Sequence, residues 1–186
     1  MTLRKGSRLA AMVLALSGLL AGVAAAQETY TATAEVKNVS GEKKTAPVSI
    51  WIERFLSDAD RKAVMKTLRE GGQPALRKML ETMKDVGWIE AGSTKTPIKY
   101  AYARTISGGR LVTVVTAKAI VHLGSNLPEA KPREGYDVAT AMLVLDAAGK
   151  GHGEFAPAGK ITVKEDTIAI QDYGGSVVWL TGVTKK

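Results

Sequence analysis

The chain has 186 residues, no cysteine and a formal net charge of +8. Without cysteine there are no disulfide staples, no thiol nucleophile and no thiolate-ligated metal centre. A chain of about 150 residues buries about 70% of its unfolded surface, so one unstapled domain can stand on its own core.

Residues 1–26 read as an export signal. Arg4, Lys5 and Arg8 precede the apolar run Leu9–Val23, and Ala24-Ala25-Ala26 follows it. This is the charged, apolar and small-residue order of a secretory signal peptide, cleaved after Ala26. The run falls short of the ~20 residues a spanning helix needs. The expected product is a single secreted or periplasmic domain at 27–186, with no membrane span after cleavage. Loss of three basic residues leaves a charge of +5. That favours weak attraction to anionic surfaces and lacks the clustered footprint of a nucleic-acid binder.

Thr29–Lys37 and Pro47–Phe55 read as strands. In the second, Val48, Ile50 and Ile52 alternate with Ser49, Trp51 and Glu53, and Pro47 opens the strand where proline is tolerated. Between them lies a polar loop that contains the pattern Asn38-Val39-Ser40. Leu56–Gly92 is the one stretch with a clear helical period. Ser57 is an N-cap, with Asp58 and Asp60 in the first turn. Ala63, Val64, Thr67 and Leu68 form one stripe, and Leu76, Met79, Leu80 and Met83 form another. Gly71-Gly72 and then Pro74 separate them. The glycines end one helix and the proline suits the start of the next. The pattern predicts a hairpin of two antiparallel helices over about 57–86, with Gly87 as the final cap and both stripes laid on a sheet.

After a linker at Thr94–Pro97, Ile98–Ile106 reads as a strand with Ile98, Tyr100, Tyr102, Arg104 and Ile106 on one face. Ser107-Gly108-Gly109-Arg110 is a hairpin turn, and Leu111–Ile120 returns. Gly124–Gly135 is a long loop, a class that often carries function. Tyr136–Asp146 follows, and its apolar end Met142–Leu145 marks it as a central strand. Gly153–Val163, which contains Pro157, reads as a bulged or edge strand. Thr167–Asp172 and Val177–Val183 complete the set. Short connections favour antiparallel pairing. The expected fold is α+β but mainly β: an antiparallel sandwich or open barrel of about eight strands with an inserted two-helix hairpin.

No catalytic constellation emerges. His122 and His152 are the only histidines, with no H-x-H or H-E-x-x-H spacing. No G-x-S-x-G elbow is present; Ser107, Ser125 and Ser176 lie in glycine turns. Gly153–Lys160 has one residue too many for a phosphate loop, and Glu165-Asp166 falls in a turn. No cofactor or metal motif is found. Tyr100, Tyr102 and Arg104 form the surface-capable set, since aromatics with arginine hold sugars or anionic groups. The more ordinary role for the two tyrosines is packing under the helices with their hydroxyls at the rim.

The segments TLREGGQPALRKMLETMKDVGWI, IKYAYARTISGGRLVTVVT, GKGHGEFAPAGKI and IQDYGGSVVWLTGV resemble, in this order, an uncharacterised family of secreted bacterial proteins of similar length. The resemblance spans Thr31–Val183 and implies one exported bacterial domain; no activity or site residue comes with it. The sequence therefore predicts an exported, non-catalytic domain that binds a small ligand, an envelope component or a protein partner. The alternative is a hydrolase or isomerase that uses His122 or His152 with nearby carboxylates.

Overall fold

The computed structural model describes residues 27–37, 41–124 and 126–186. The predicted signal at 1–26, the Asn38-Val39-Ser40 pattern and Ser125 lie outside the described residues. The elements are β1 (Glu28–Lys37), β2 (Lys43–Ile52), α1 (Asp58–Thr82), β3 (Gly87–Ala91), β4 (Thr94–Ile106), β5 (Gly109–Thr116), β6 (Val138–Asp146), β7 (Lys150–Lys164), β8 (Thr167–Asp172) and β9 (Val178–Lys185).

Every ladder is antiparallel, in the order β6-β5-β4-β3-β2-β1-β9-β7-β8, and β6 also pairs with β7. That last pairing closes an eight-stranded barrel and leaves β8 as an extra strand on the far half of β7, Lys160–Lys164. The architecture is thus a closed barrel, where a sandwich or an open barrel was expected. Closure removes the unpaired edges that either alternative would leave. Gly153–Val163, expected to be a bulged or edge strand, is bulged; Gly153–Phe155 pair with both β6 and β9 inside the barrel, whereas Lys160–Val163 pair with β8 alone. The register of β6 with β7 slips between Val138 and Thr140, and Pro157 falls in that gap.

Eight strands make a barrel just wide enough for side chains to fill. Tyr30, Ile50, Ile89, Val112, Leu143, Phe155 and Leu180 fill this one, all at or below 2% exposure. β3 was missed in the sequence: only five residues long, Gly-Trp-Ile-Glu-Ala looks like the tail of a helix. Gly87 opens β3 and does not cap α1. A Cβ there would lie 2.1 Å from the Trp51 carbonyl oxygen, so close strand approach explains the glycine. On the outer surface Trp51 of β2 stacks on Trp88 of β3 at 3.8 Å between ring centroids.

α1 begins as its sequence dictates. The Ser57 hydroxyl oxygen accepts the Asp60 N–H at 3.1 Å, with Asp58 and Asp60 in the first turn. Its buried face is Arg61, Val64, Met65, Leu68, Gln73, Leu76 and Leu80. The predicted pair of helices is one element broken at Gly72 (φ 66°, ψ −171°). A straight 25-residue helix would be about 37 Å long. Yet the residues that flank it reach the same short stretch of β4: the Leu56 N–H donates to the Ala101 carbonyl at 2.8 Å and the Val86 N–H to the Ile98 carbonyl at 2.9 Å. Three strand residues span only about 10 Å. The chain therefore folds back at Gly72.

β4 carries a bulge that sets where α1 packs. Ile98 pairs with Thr116, but Tyr100 pairs with Val115. A one-residue slip exchanges the two faces of a strand. Ile98 points into the barrel, whereas Tyr100, Tyr102 and Arg104 point outward, and α1 lies over the two tyrosines. The five-residue face expected from Ile98 to Ile106 is therefore split. α1 covers this outer wall, so β5 is buried on both faces from Leu111 to Thr116. β6, expected to be a central strand, is paired on both sides by β5 and β7 but leaves Val144 37% exposed on its outer face.

Candidate functional site

The two ends of the barrel differ. At one end Glu28 opens β1, Arg110 starts β5 and Lys185 ends β9. β1 and β5 lie on opposite sides of the barrel, so Arg110 reaches across the lumen. Its guanidinium donates to Glu28 Oε1 at 3.1 Å, and Lys185 Nζ donates to the same oxygen at 2.7 Å. The Tyr30 hydroxyl donates to Glu28 Oε2. Glu28 is only 7% exposed. Burial alone pushes its carboxyl up, but the Arg110, Lys185 and Tyr30 donors pull it below the ordinary value. Burial and the Glu28 carboxylate push the Tyr30 hydroxyl up, so it stays a donor. This network is a polar plug that ties three strands together, and every charged member of it has a partner.

Beneath α1 the residues singled out in the sequence take separate roles. Tyr100 is fully buried and its hydroxyl has no partner. The Tyr102 hydroxyl donates to Asp58 Oδ1 at 2.6 Å, and the Arg61 guanidinium lies 5.0 Å from the Tyr102 ring. Arg104 keeps a buried Nε without a partner. Sequence reasoning missed the group that organises this junction. Arg61 donates to the Asp166 carboxylate and carbonyl, each at 2.7 Å, and Arg69 donates to the same carboxylate at 3.2 Å. Asp166 and Glu165 both have positive φ, 58° and 48°, in the β7–β8 turn. These contacts fasten α1 to the barrel, and Tyr100 is out of reach of a ligand while α1 is docked.

The opposite end carries the β3–β4 turn, the connection 117–137 between β5 and β6, and the β8–β9 loop. Ile120 N–H donates to the Pro157 carbonyl at 2.8 Å and Ala130 N–H to the Val121 carbonyl at 3.0 Å, which pins the long connection across the end. Between it and the β8–β9 loop lies a trough of about 270 Å³. Val36, Pro128, Ala130, Pro157, Ala158 and Val178 line its apolar part; Glu129, Lys131, Tyr173 and Ser176 add polar groups. The Tyr173 hydroxyl donates to Glu154 Oε2; burial and this carboxylate push the phenol up, so it too remains a donor. Gly174 (φ 68°) brings the loop against β7: a Cβ there would lie 2.4 Å from the Ala158 carbonyl oxygen.

A second groove, about 390 Å³, lies on the other side of the long connection and shares Glu129 with the trough; His122, Ser93 and Thr94 also line it. His122 Nδ1 lies 3.2 Å from Glu129 Oε1, both side chains about two-thirds exposed. Glu129 belongs to the long connection between β5 and β6. His152 stands on β7 opposite Val144, exposed, and does not line this groove. Among the described residues no group of three or more His, Asp or Glu side chains is placed to hold a metal ion, and no helix is long and apolar enough to cross a membrane. The chain matches no protein-family model, no curated protein and no solved structure, so the family resemblance rests on the quoted segments alone.

Proposed function

We propose that this protein is an exported, non-catalytic β-barrel that binds a small ligand in the trough between the long β5–β6 connection and the β8–β9 loop. The observation that carries the proposal is the lining itself. An apolar floor of prolines, alanines and valines stands beside a few polar side chains, the make-up of small-molecule sites in general. The barrel lumen is filled with side chains; the grooves at the Glu28 rim and beside α1 are lined by Arg110, Asp146 and Lys185 and by Arg77, Lys78 and Glu81, a more charged lining than that of the trough. Its volume of about 270 Å³ lies just below the usual range of about 300–1,000 Å³, which favours a compact ligand. The export part rests on the sequence of residues 1–26: material recovered outside the cytoplasm should begin at Gln27, and intact Met1 in the membrane fraction would overturn it.

The test is amide NMR of the mature domain against a panel of small apolar and amphiphilic compounds. Shifts should cluster on Val36, Ala130, Ala158 and Ser176. They should vanish in Gly175→Trp, where the new side chain enters open space, since no atom lies within 4 Å of the Cβ position. Shifts that map instead to α1, or none from any compound, would reject the trough. The catalytic alternative draws on the His122–Glu129 contact. It would be favoured by turnover of an ester or sugar panel that His122→Gln abolishes.

A further inference from the structure

Trp179 of β9 is 43% exposed, the most exposed large apolar side chain among the described residues. The other two indoles occupy each other. The strand register fixes what surrounds Trp179: Glu35 of β1 stands directly opposite on one side and Glu154 of β7 on the other. Directly opposed residues hold their Cβ atoms about 5 Å apart. Both carboxylates flank an open indole on the outer wall, next to the trough, because Tyr173 lines the trough and donates to Glu154. One ammonium already rests here. Lys43 Nζ lies 3.0 Å from Glu35 Oε1, on a side chain 58% exposed against 14% for Glu35. The Lys43 side chain is the exposed partner, so an arriving cation takes its place on Glu35 and the carboxylate exchanges one cation for another.

We propose that Trp179, Glu35, Glu154 and Tyr173 form a site for a small ligand that carries a quaternary or primary ammonium group. The proposal rests on the reading that this end of the barrel binds small solutes, and it adds the ligand's charge and chemistry. The face of an indole attracts cations through its quadrupole. Two carboxylates beside it select a cation over an anion or a neutral solute. Tyr173 keeps the Glu154 carboxylate directed toward this wall.

The experiment is tryptophan fluorescence of the mature domain titrated with choline and with its neutral isostere, 3,3-dimethylbutan-1-ol. Choline should give a saturable change at a concentration at least about tenfold lower than the alcohol, the scale of a partly desolvated cation–π contact with a nearby carboxylate. The change should disappear in Trp179→Leu, weaken in Glu154→Gln and tighten in Lys43→Met. Should Trp179→Leu fold poorly, the conservative Glu154→Gln and Lys43→Met arms still decide the outcome. Equal response to both probes, no response to choline, or a choline response that survives Trp179→Leu overturns the site. Gly175→Trp separates this proposal from the trough. It should erase trough shifts and spare the choline response. A choline response lost in Gly175→Trp but kept in Trp179→Leu would place the ammonium in the trough and reject the Trp179 site. Competition by phosphatidylcholine vesicles would assign the ammonium to a lipid head group, and indifference to them to a free solute; either supports the chemistry.

Discussion

Replacing Gly72 with alanine tests how α1 folds back. Gly72 has φ 66° and ψ −171°, in a region that is essentially glycine-only. Holding alanine there costs about 1–3 kcal/mol. Alanine also restricts the unfolded chain, which returns about 0.4–1 kcal/mol. A new Cβ would meet Pro74 Cδ at 3.6 Å, ordinary contact, so no clash adds to the sum. The net expectation is a loss of about 0.5–2 kcal/mol that comes from backbone conformation alone. The assay is urea unfolding of wild type and Gly72→Ala, read as a lower midpoint at an unchanged slope. Gly175→Ala serves as the control. Its Cβ meets nothing within 4 Å and its φ is not left-handed, so it should gain about 0.4–1 kcal/mol. A Gly72→Ala midpoint equal to or above wild type would refute the break at Gly72 and leave α1 a continuous helix, in conflict with the paired anchors of Leu56 and Val86 on β4.

Leu80→Ala should destabilise the domain by about 2–5 kcal/mol, since Leu80 is fully buried between α1 and the barrel; a loss under about 0.5 kcal/mol would mean that this face of α1 is not docked. Glu28 should give an acid-dependent stability. Its folded carboxyl lies below the ordinary value of 4.5, so its contribution is complete above that value and is lost as pH falls through it toward the folded value. Glu28→Gln should lower stability at pH 7 by about 1.5–3 kcal/mol, the scale of hydrogen bonds to a charged group, and flatten the difference from wild type as pH falls from 5 to 3. A difference that stays constant over that range would show that the Glu28 charge does not contribute.

Local signals in the sequence carried most of the strands and the whole of the helix start. Alternation in Val48-Ser49-Ile50-Trp51-Ile52 and the Ser57 cap are written in neighbouring residues, and both stand in the structure. What was hidden depends on non-local pairing. The β6–β7 ladder that closes the barrel joins strands whose pairing no single residue announces. The bulge between Ile98 and Tyr100 turns one apparent face into two, so Ile98 and Tyr100, expected on one face, point to opposite sides of the barrel wall. The first stripe of α1 was off by a residue for a related reason. Ala63 is exposed, while Arg61 and Met65 are buried, because Asp166, more than a hundred positions later, draws Arg61 inward. The trough was half-legible: the long connection was marked as functional by its length, but its apolar partner surface comes from Pro157, Ala158 and Val178, which only the closed barrel brings beside it.

Closure also explains why the two ends have such different chemistry. An eight-stranded barrel filled with side chains has no room for a ligand inside, so polar groups concentrate at its rims. At the Glu28 rim the three strands β1, β5 and β9 end in one carboxylate and two cations that satisfy one another. Such a mutually paired set resists opening and has little left to offer a ligand. At the other rim the connections are longer and the charges less matched. Glu129 meets only an exposed histidine, Lys131 makes no hydrogen bond or ion pair among the described residues, and the Trp179 indole stands open on the outer wall. Unsatisfied groups on a well-anchored scaffold are where binding energy remains available. The described polar pairing is thus densest at the Glu28 rim, which is why both binding proposals are placed at the loop end.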